Sequence, residues 1–277
     1  MEFKIALVIV LYNEKPLDYI YNNPEIPIII VDNTEHRDLC LRSDNLYYIP
    51  LNDNFGIAYA LNVGFQKARH IGVNWIITMD QDSEFPSNMV EEYRKFLSED
   101  HEKVGIVAPL INMYKGENKH ADSKIEIISE ALASGSMVSL EAYDRAGGFK
   151  VQLFIDAVDF EFCYNLSSLG YIHYQINNVV MQHQLGETKE YKFLGKHLFY
   201  VTNHSYLRHY YMHRNGLYLK EHYASLLKRK PFGLVEIAIT LLKIVFFEKD
   251  RYRKLKAHYW GWKDYKNNIF GKLNHNI

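Results

Sequence analysis

Short apolar runs separated by helical periodicities organise the first two thirds of the chain. Residues 3–11, 27–31, 46–50 and 73–79 are rich in β-branched and aromatic residues and have the length of buried strands. Between them lie helical patterns. The clearest covers residues 56–69, where Ile57, Ala60, Leu61, Gly64, Phe65 and Ala68 fall at i, i+3, i+4, i+7, i+8 and i+11, one apolar face of a 3.6-residue period. Pro86 suits the first turn of a helix that carries Met89, Val90, Tyr93, Phe96 and Leu97. Further strands are expected at 104–110, 133–140 and 171–181, with a break at Gly147-Gly148 and a helix over 159–169 closed by Gly170. Strands alternating with helices imply an α/β, Rossmann-like fold, a mostly parallel central sheet with flanking helices.

The pattern changes at about residue 191. Tyrosines, histidines and basic residues take over, followed by an apolar stretch over 232–247 that Glu236 and Lys243 interrupt. A membrane-spanning helix needs about 20 apolar residues, so this stretch reads as a helix on a surface. Leu234, Ile237, Leu241, Ile244 and Val245 share one helical face, preceded by Lys228, Arg229 and Lys230 and followed by Lys249, Arg251, Arg253, Lys254 and Lys256. Basic flanks around an amphipathic segment suit an anionic membrane, and an ordinary helix packed on the core is the alternative. The expected division is a catalytic domain over 1–190 and a helical, basic and aromatic extension over 191–277.

The 277 residues hold 33 acidic and 32 basic side chains. With no global field to recruit polyanions, a nucleic-acid partner is not expected, and any basic surface must be local. Cys40 and Cys163 lack metal-site spacing and suit a reducing compartment, and the chain enters an apolar run without a charged leader, so a cytoplasmic protein is expected. The 22 tyrosines suit interfaces and sugar-stacking surfaces, although core packing explains most aromatic residues.

Candidate chemistry starts where the run Trp75-Ile76-Ile77-Thr78-Met79 stops on Asp80-Gln81-Asp82-Ser83. Ligands of open α/β sheets sit at the carboxyl ends of strands, and a turn there lets Asp80 and Asp82 converge as hard oxygen ligands for Mg²⁺ or Mn²⁺ beside a diphosphate. A solvated turn uses the same residue types. Tyr12-Asn13-Glu14, Asp32-Asn33 and Asn52-Asp53-Asn54-Phe55-Gly56 follow the first three strands, so three strand ends deliver polar groups to one edge, suited to a base and ribose. Gly56 opens the strong helix, whose N-terminus favours anions.

In order along the chain, Val10-Leu11-Tyr12-Asn13, Ile30-Val31-Asp32-Asn33, Asn54-x-Gly56-x-x-x-Ala60-x-Asn62-x-Gly64, Asp80-Gln81-Asp82-Ser83, Ser134-Gly135-Ser136, Gly147-Gly148-Phe149, Phe154-Ile155-Asp156-x-Val158-Asp159-x-Glu161-x-Cys163 and His183-x-Leu185-Gly186 form a set. Together they resemble family 2 glycosyltransferases of GT-A fold, in particular the bacterial rhamnosyltransferase-like group, over roughly residues 3–190. A weaker match continues to Tyr210-Tyr211-x-x-Arg214-Asn215.

The resemblance implies that Asp80 and Asp82 bind a divalent ion, with His183 as third ligand, and that Tyr12, Asn13, Glu14, Asp32, Asn54, Gly56, Asn62 and Asp80 serve the nucleotide side. It makes Asp159 the catalytic base, Asp156 the runner-up, and Glu161 a residue that orients or contacts acceptor. One departure is Tyr164-Asn165, where relatives usually carry Arg shortly after the cysteine. An acidic helix start also has a purely local use, complementing the helix dipole. His197, His204, His209 and His213 lack such a frame and read as surface or tail residues.

The implied reaction is an inverting, metal-dependent transfer of L-rhamnose from dTDP-L-rhamnose to a saccharide or lipid-linked acceptor in bacterial surface polysaccharide synthesis, at the inner membrane face. UDP-galactofuranose or another UDP-sugar is the alternative donor. A sugar-phosphate nucleotidyltransferase would need a Gly-rich basic loop after the first strand, where this chain has Tyr-Asn-Glu. A noncatalytic glycan-binding protein leaves the ordered acidic motifs unexplained.

Overall fold

A computed structural model describes residues 3–15, 25–37, 39, 45–112, 124–182, 189–193, 196–227 and 234–277. The chain forms two compact units: Met1–Phe154 with Val158–His183, and Ile155–Ala157 with Gln184–Ile277.

The first unit contains strands β1 (Ile5–Leu11), β2 (Ile28–Asp32), β3 (Leu46–Pro50), β4 (Trp75–Asp80), β5 (Val104–Asn112), β6 (Ile125–Ile128), β7 (Met137–Ser139) and β8 (Ile172–Gln182), with helices α1 (Ile57–His70), α2 (Met89–Ser98), α3 (Leu140–Ala146) and α4 (Val158–Ser168). The strands form one sheet in the order β3-β2-β1-β4-β7-β5-β8-β6. β1, β2, β3 and β4 run parallel, as do β5 and β8, whereas β7 is antiparallel to both its neighbours and β6 to β8. Val10 pairs with both Val31 and Asp80, and Leu11 with Asp32, so β1, β2 and β4 end at one edge.

β1 and β2 are buried along their whole length, as expected of aliphatic strands covered on both faces. Ile5, Leu7, Ile9 and Leu11 of β1 join Met89, Tyr93 and Phe96 of α2 in the main core. On the other face, a Cβ on Gly64 would lie 2.4 Å from a Val8 methyl, so α1 needs glycine there to approach the sheet.

The sequence pattern for 133–140 promised one strand, but β7 occupies only its end. Gly135 turns with φ 79°, and Ser139 caps α3 by accepting the Ala142 N–H at 3.0 Å. β6 escapes the pattern because its four residues lack alternation.

The second unit has a β-hairpin, β9 (Lys189–Phe193) and β10 (Lys196–Val201), then α5 (Tyr206–His222), α6 (Leu234–Phe247) and α7 (Arg251–Lys266). α5 and α7 approach closely: a Cβ on Gly261 would sit 2.8 Å from the Tyr210 carbonyl. His209 and His213, expected at the surface or in the tail, lie in the tail and are buried between helices, where His209 bonds His258 and Glu248 and His213 bonds His258. Among the described residues no helix is long and apolar enough to cross a membrane. The apolar face expected to point outwards on α6 does so only in part, with Val245 exposed. Ile244 is fully buried and Ile237 and Leu241 are half-buried; α6 is apolar on nearly every side, so sequence alone could not fix its rotation.

Candidate active site

At the ends of β1, β2 and β3 the polar residues hold one another. Asn13 adopts φ 57° and donates its N–H to Thr34 Oγ1 at 2.9 Å. Asp32 is fully buried, and its carboxylate accepts the Thr34 N–H at 3.1 Å and the Tyr48 hydroxyl at 2.9 Å, with Arg37 at 3.5 Å. Asp32, expected at the nucleotide, braces the turn at the end of β2. Asn33 donates to Asn54 Oδ1 at 3.0 Å and accepts the Phe55 N–H at 2.8 Å, and Asn54 also accepts the Gly56 N–H at 3.0 Å. Tyr12, Asn13 and Glu14 stay exposed on this edge.

Gly56 has a positional reason. Its φ is 85°, and a Cβ there would come within 2.5 Å of the Phe154 carbonyl oxygen. That same carbonyl accepts the Ile57 N–H at 2.8 Å, so the first donor of α1 already has a protein partner.

The end of β4 is tied down from two sides. Asp80 donates its N–H to Ser134 Oγ at 3.2 Å, Ser134 donates to Ser83 Oγ at 2.9 Å, and the Ser83 N–H returns to the Asp80 carbonyl at 3.3 Å. Gln81 grips the backbone of Tyr12, accepting its N–H at 2.7 Å and donating to its carbonyl at 3.3 Å. Gly135 makes the turn beneath Asp80 possible: its N–H reaches the Thr78 carbonyl at 2.7 Å, and a Cβ would collide with Met181 and Pro109. Asp80 is thereby half-buried and Asp82 exposed.

Two carboxylates one residue apart across a turn are a fitting donor pair for Mg²⁺ or Mn²⁺, which take oxygen ligands. Among the described residues no three His, Cys, Asp or Glu side chains converge as a complete ion site. His183, the expected third ligand, lies outside the described residues, as does the rest of its motif.

Asp159 stands in the first turn of α4, half-buried, and accepts the Phe160 N–H at 2.9 Å. It lines a small cavity with Thr78, Ala133, Ser136 and Phe162; Thr78 lies two residues before Asp80. Glu161 is fully buried, which fits orienting better than touching an acceptor. Cys163 is also buried and fastens α4 to Ala131, accepting its N–H at 3.4 Å. Burial pushes its thiol far above the usual range, leaving it unreactive. Where relatives usually have Arg nearby, Tyr164 donates its hydroxyl to Glu130.

Asp156 belongs to the second unit. Its Oδ1 accepts from Arg208 Nε at 3.0 Å; burial raises its carboxyl above the ordinary value, and Arg208 pulls against that shift. Asp156 and Ala157 have φ of 62° and 63°, and Asn215 donates to the Ile155 and Asp156 carbonyls at 2.8 Å each. Asn215 of the Arg214-Asn215 motif is therefore a fastening for this segment, and Arg214 donates to its Oδ1 at 3.0 Å.

Asn62, expected at the nucleotide, has three protein partners. Its Oδ1 accepts from the Tyr143 hydroxyl at 2.8 Å and the Phe149 N–H at 2.9 Å, and its amide donates to the Phe149 carbonyl at 2.9 Å. The signal was available: Ala58 at i−4 and Phe65 at i+3 are both core, so position 62 borders the buried face. Gln81, Ser134 and Tyr48 were missed as supports because their partners are distant in sequence.

A layered α/β sheet that delivers Asp-x-Asp to its carboxyl edge, with a carboxylate opening α4, is the make-up of a GT-A glycosyltransferase. Residues 7–155 match the family model of Glycosyl transferase family 2, and the chain belongs to that family. A dTDP-rhamnosyl transferase, RfbF of Shigella flexneri, is 28% identical over 254 residues, covering 83% of each chain. Among solved structures, S. aureus TarS 1-349 in complex with UDP-GlcNAc is similar with a TM-score of 0.55 at 15% identity, over 92% of this chain and 79% of that one. GalNAc-T7 with UDP, GalNAc and Mn²⁺ is similar with a TM-score of 0.50 at 14% identity, over 69% of this chain and 44% of that one. At such identities the structural likeness establishes the fold.

Proposed function

We propose that this glycosyltransferase is inverting and metal-dependent and moves L-rhamnose from dTDP-L-rhamnose to a hydroxyl of a saccharide or lipid-linked glycan in bacterial surface polysaccharide synthesis. Its place of work is the cytoplasm, peripheral to the inner membrane face. The observation that carries the chemistry is the Asp80-Gln81-Asp82 turn, held by Ser134 and by Gln81 on Tyr12, with Asp159 in the cavity behind Thr78. The 28% identical dTDP-rhamnosyl transferase supports the donor.

In this reading Asp80 and Asp82 hold Mg²⁺ or Mn²⁺ together with the donor diphosphate. A bound divalent ion neutralises charge on the leaving diphosphate, so no protein acid has to protonate it. Asp159 accepts the proton of the attacking hydroxyl. The exposed Tyr12-Asn13-Glu14 segment and the Asn54-Gly56 loop receive base and ribose, while Asp32 fixes the loop from inside.

Hydrolysis of a nucleotide-sugar panel tests the donor, and calorimetry with and without Mn²⁺ tests the site. The expected result is preferential dTDP-L-rhamnose turnover, with metal-dependent donor binding abolished in Asp80→Ala and Asp82→Ala. Preference for a UDP-sugar would replace the donor; undiminished Mn²⁺ affinity in both variants would sink the metal assignment.

A further inference from the structure

A net charge near zero conceals a segregation. Residues 184–277 carry eighteen Lys and Arg against seven Asp and Glu, a net of +11, whereas residues 1–183 carry fourteen against twenty-six, a net of −12. The basic part also keeps an apolar helix face in solvent. On α6, Val235, Ile239, Leu242 and Phe246 recur at i, i+4, i+7 and i+11 and are 71, 48, 55 and 65% exposed, while Ile244 is fully buried. Single exposed hydrophobes are ordinary, but a continuous stripe of four large ones marks an interaction surface. Just beyond its C-terminal end, Lys249, Arg251 and Arg253 are exposed. α7, which packs on α6, adds exposed Tyr252, Tyr259 and Trp262.

We infer that the Val235–Ile239–Leu242–Phe246 face of α6 docks on an anionic lipid bilayer, with the helix lying in the plane of the headgroups. Charge and shape select this occupant. A second copy would bring another strongly basic unit against this one, and like charges oppose that pairing. A nucleic acid would accept the positive charge but has no use for an aliphatic stripe, since its affinity comes from phosphate contacts. A bilayer with anionic headgroups uses both features: its acyl boundary takes the apolar face and its surface potential attracts the flanking cations. At about 1.5 Å per residue the 14-residue helix spans about 21 Å, short of the roughly 30 Å hydrocarbon core, so it lies flat. This deepens the peripheral location proposed above and is independent of the sugar transferred.

The test uses the full-length chain and sedimentation with phosphatidylglycerol–phosphatidylethanolamine vesicles, with pure phosphatidylcholine vesicles in parallel. Leu242→Glu/Phe246→Glu should bind the anionic vesicles at least about tenfold more weakly, as expected from placing charge in the acyl boundary, with donor hydrolysis and melting temperature unchanged. Lys249→Gln/Arg251→Gln/Arg253→Gln should weaken the same binding while leaving the apolar stripe intact, and decides the matter if the first variant misfolds. Raised salt should weaken wild-type binding. Unchanged binding by the Gln variant, equal binding to neutral vesicles, or no vesicle binding by the wild type would overturn the inference. So would a dimer in ultracentrifugation that Leu242→Glu/Phe246→Glu dissolves, because a second copy would then cover the face. Loss of vesicle binding with intact hydrolysis separates this inference from the transferase reading.

Discussion

The two units put their polar groups in different places. In the first, the interior of the sheet is mainly aliphatic, with a few polar groups such as His173 inside, and many hydrogen-bonding side chains gather at the strand ends, where Asn13–Thr34, Asn33–Asn54 and Gln81–Tyr12 fix loops. In the second, polar groups share the interior with apolar ones such as Leu219, Ile244 and Ala257. His213 and His258 meet at 2.7 Å, His258 and His209 at 3.1 Å, and Glu248 holds His209 at 3.1 Å and Lys254 at 2.8 Å. Nearby, fully buried Arg214 bonds the Gly271 carbonyl at 2.8 Å, and Tyr210 donates to Asp264 at 2.6 Å. An apolar core tolerates change in one partner by repacking, whereas a buried polar network leaves the remaining partner unsatisfied. The first unit should therefore lose function when its edge is altered, and the second should lose stability when its centre is.

The largest effect is expected at the edge. Asp159→Asn keeps the shape of the side chain but removes the basic lone pair, so turnover should fall by roughly 10² to 10⁴ with donor binding nearly intact. Steady-state kinetics beside calorimetry checks this. If Asp159→Asn stays active while Asp156→Asn is dead, the base lies three residues upstream.

At the centre of the second unit, Arg214→Ala should cost roughly 3 kcal/mol, since it leaves Tyr210, Asn215 and the Gly271 carbonyl without their donor. Denaturant unfolding measures it, and a cost below about 1 kcal/mol would mean that the network is not what holds this unit.

Acid should weaken the second unit as well. Burial holds His213 at about 4 and His258 at about 3, the latter also through repulsion from His213 and His209. Both stay neutral in the fold, while the unfolded chain takes up protons near 6.5, so their contribution is present above that pH and is lost on descent toward 4. Burial pushes the Glu248 carboxyl up, but His209 and Lys254 prevail and hold it at about 2; its contribution fades only below about 4.5. All three weaken the second unit in the same direction. Melting followed from pH 7 to pH 4 should show a loss of order 2 kcal/mol, and a flat profile between pH 7 and 5 would contradict it.

The same contrast explains what the sequence revealed. β1, β2, β4 and α1 were legible because continuous aliphatic runs and a 3.6-residue face have few other uses. The Asp80-Gln81-Asp82 turn was legible because a continuous apolar run gives way there to turn-forming Asp and Ser residues. The antiparallel insertion of β7 was not, since the chain turns at Gly135 before it, against Pro109 and Met181, which are distant in sequence. In the second unit, histidines and charged residues carry no periodic signature of burial. Their partners, not their types, bring them inside.

The smallest predicted effect falls where the chain passes between the units. Asp156 and Ala157 occupy left-handed conformations, each costing of order 1 kcal/mol for a non-glycine residue. The two bonds from Asn215 to the Ile155 and Asp156 carbonyls offset that strain, and α4 with Asp159 begins directly after. Asn215→Ala should lower kcat about tenfold, as a slight misplacement of a catalytic group does, while donor KM changes little. Adding Ala157→Gly should restore part of the rate, because glycine adopts φ 63° without strain. A parallel loss of kcat and donor affinity that Ala157→Gly leaves untouched would mean that Asn215 supports the fold generally and does not set the approach to Asp159.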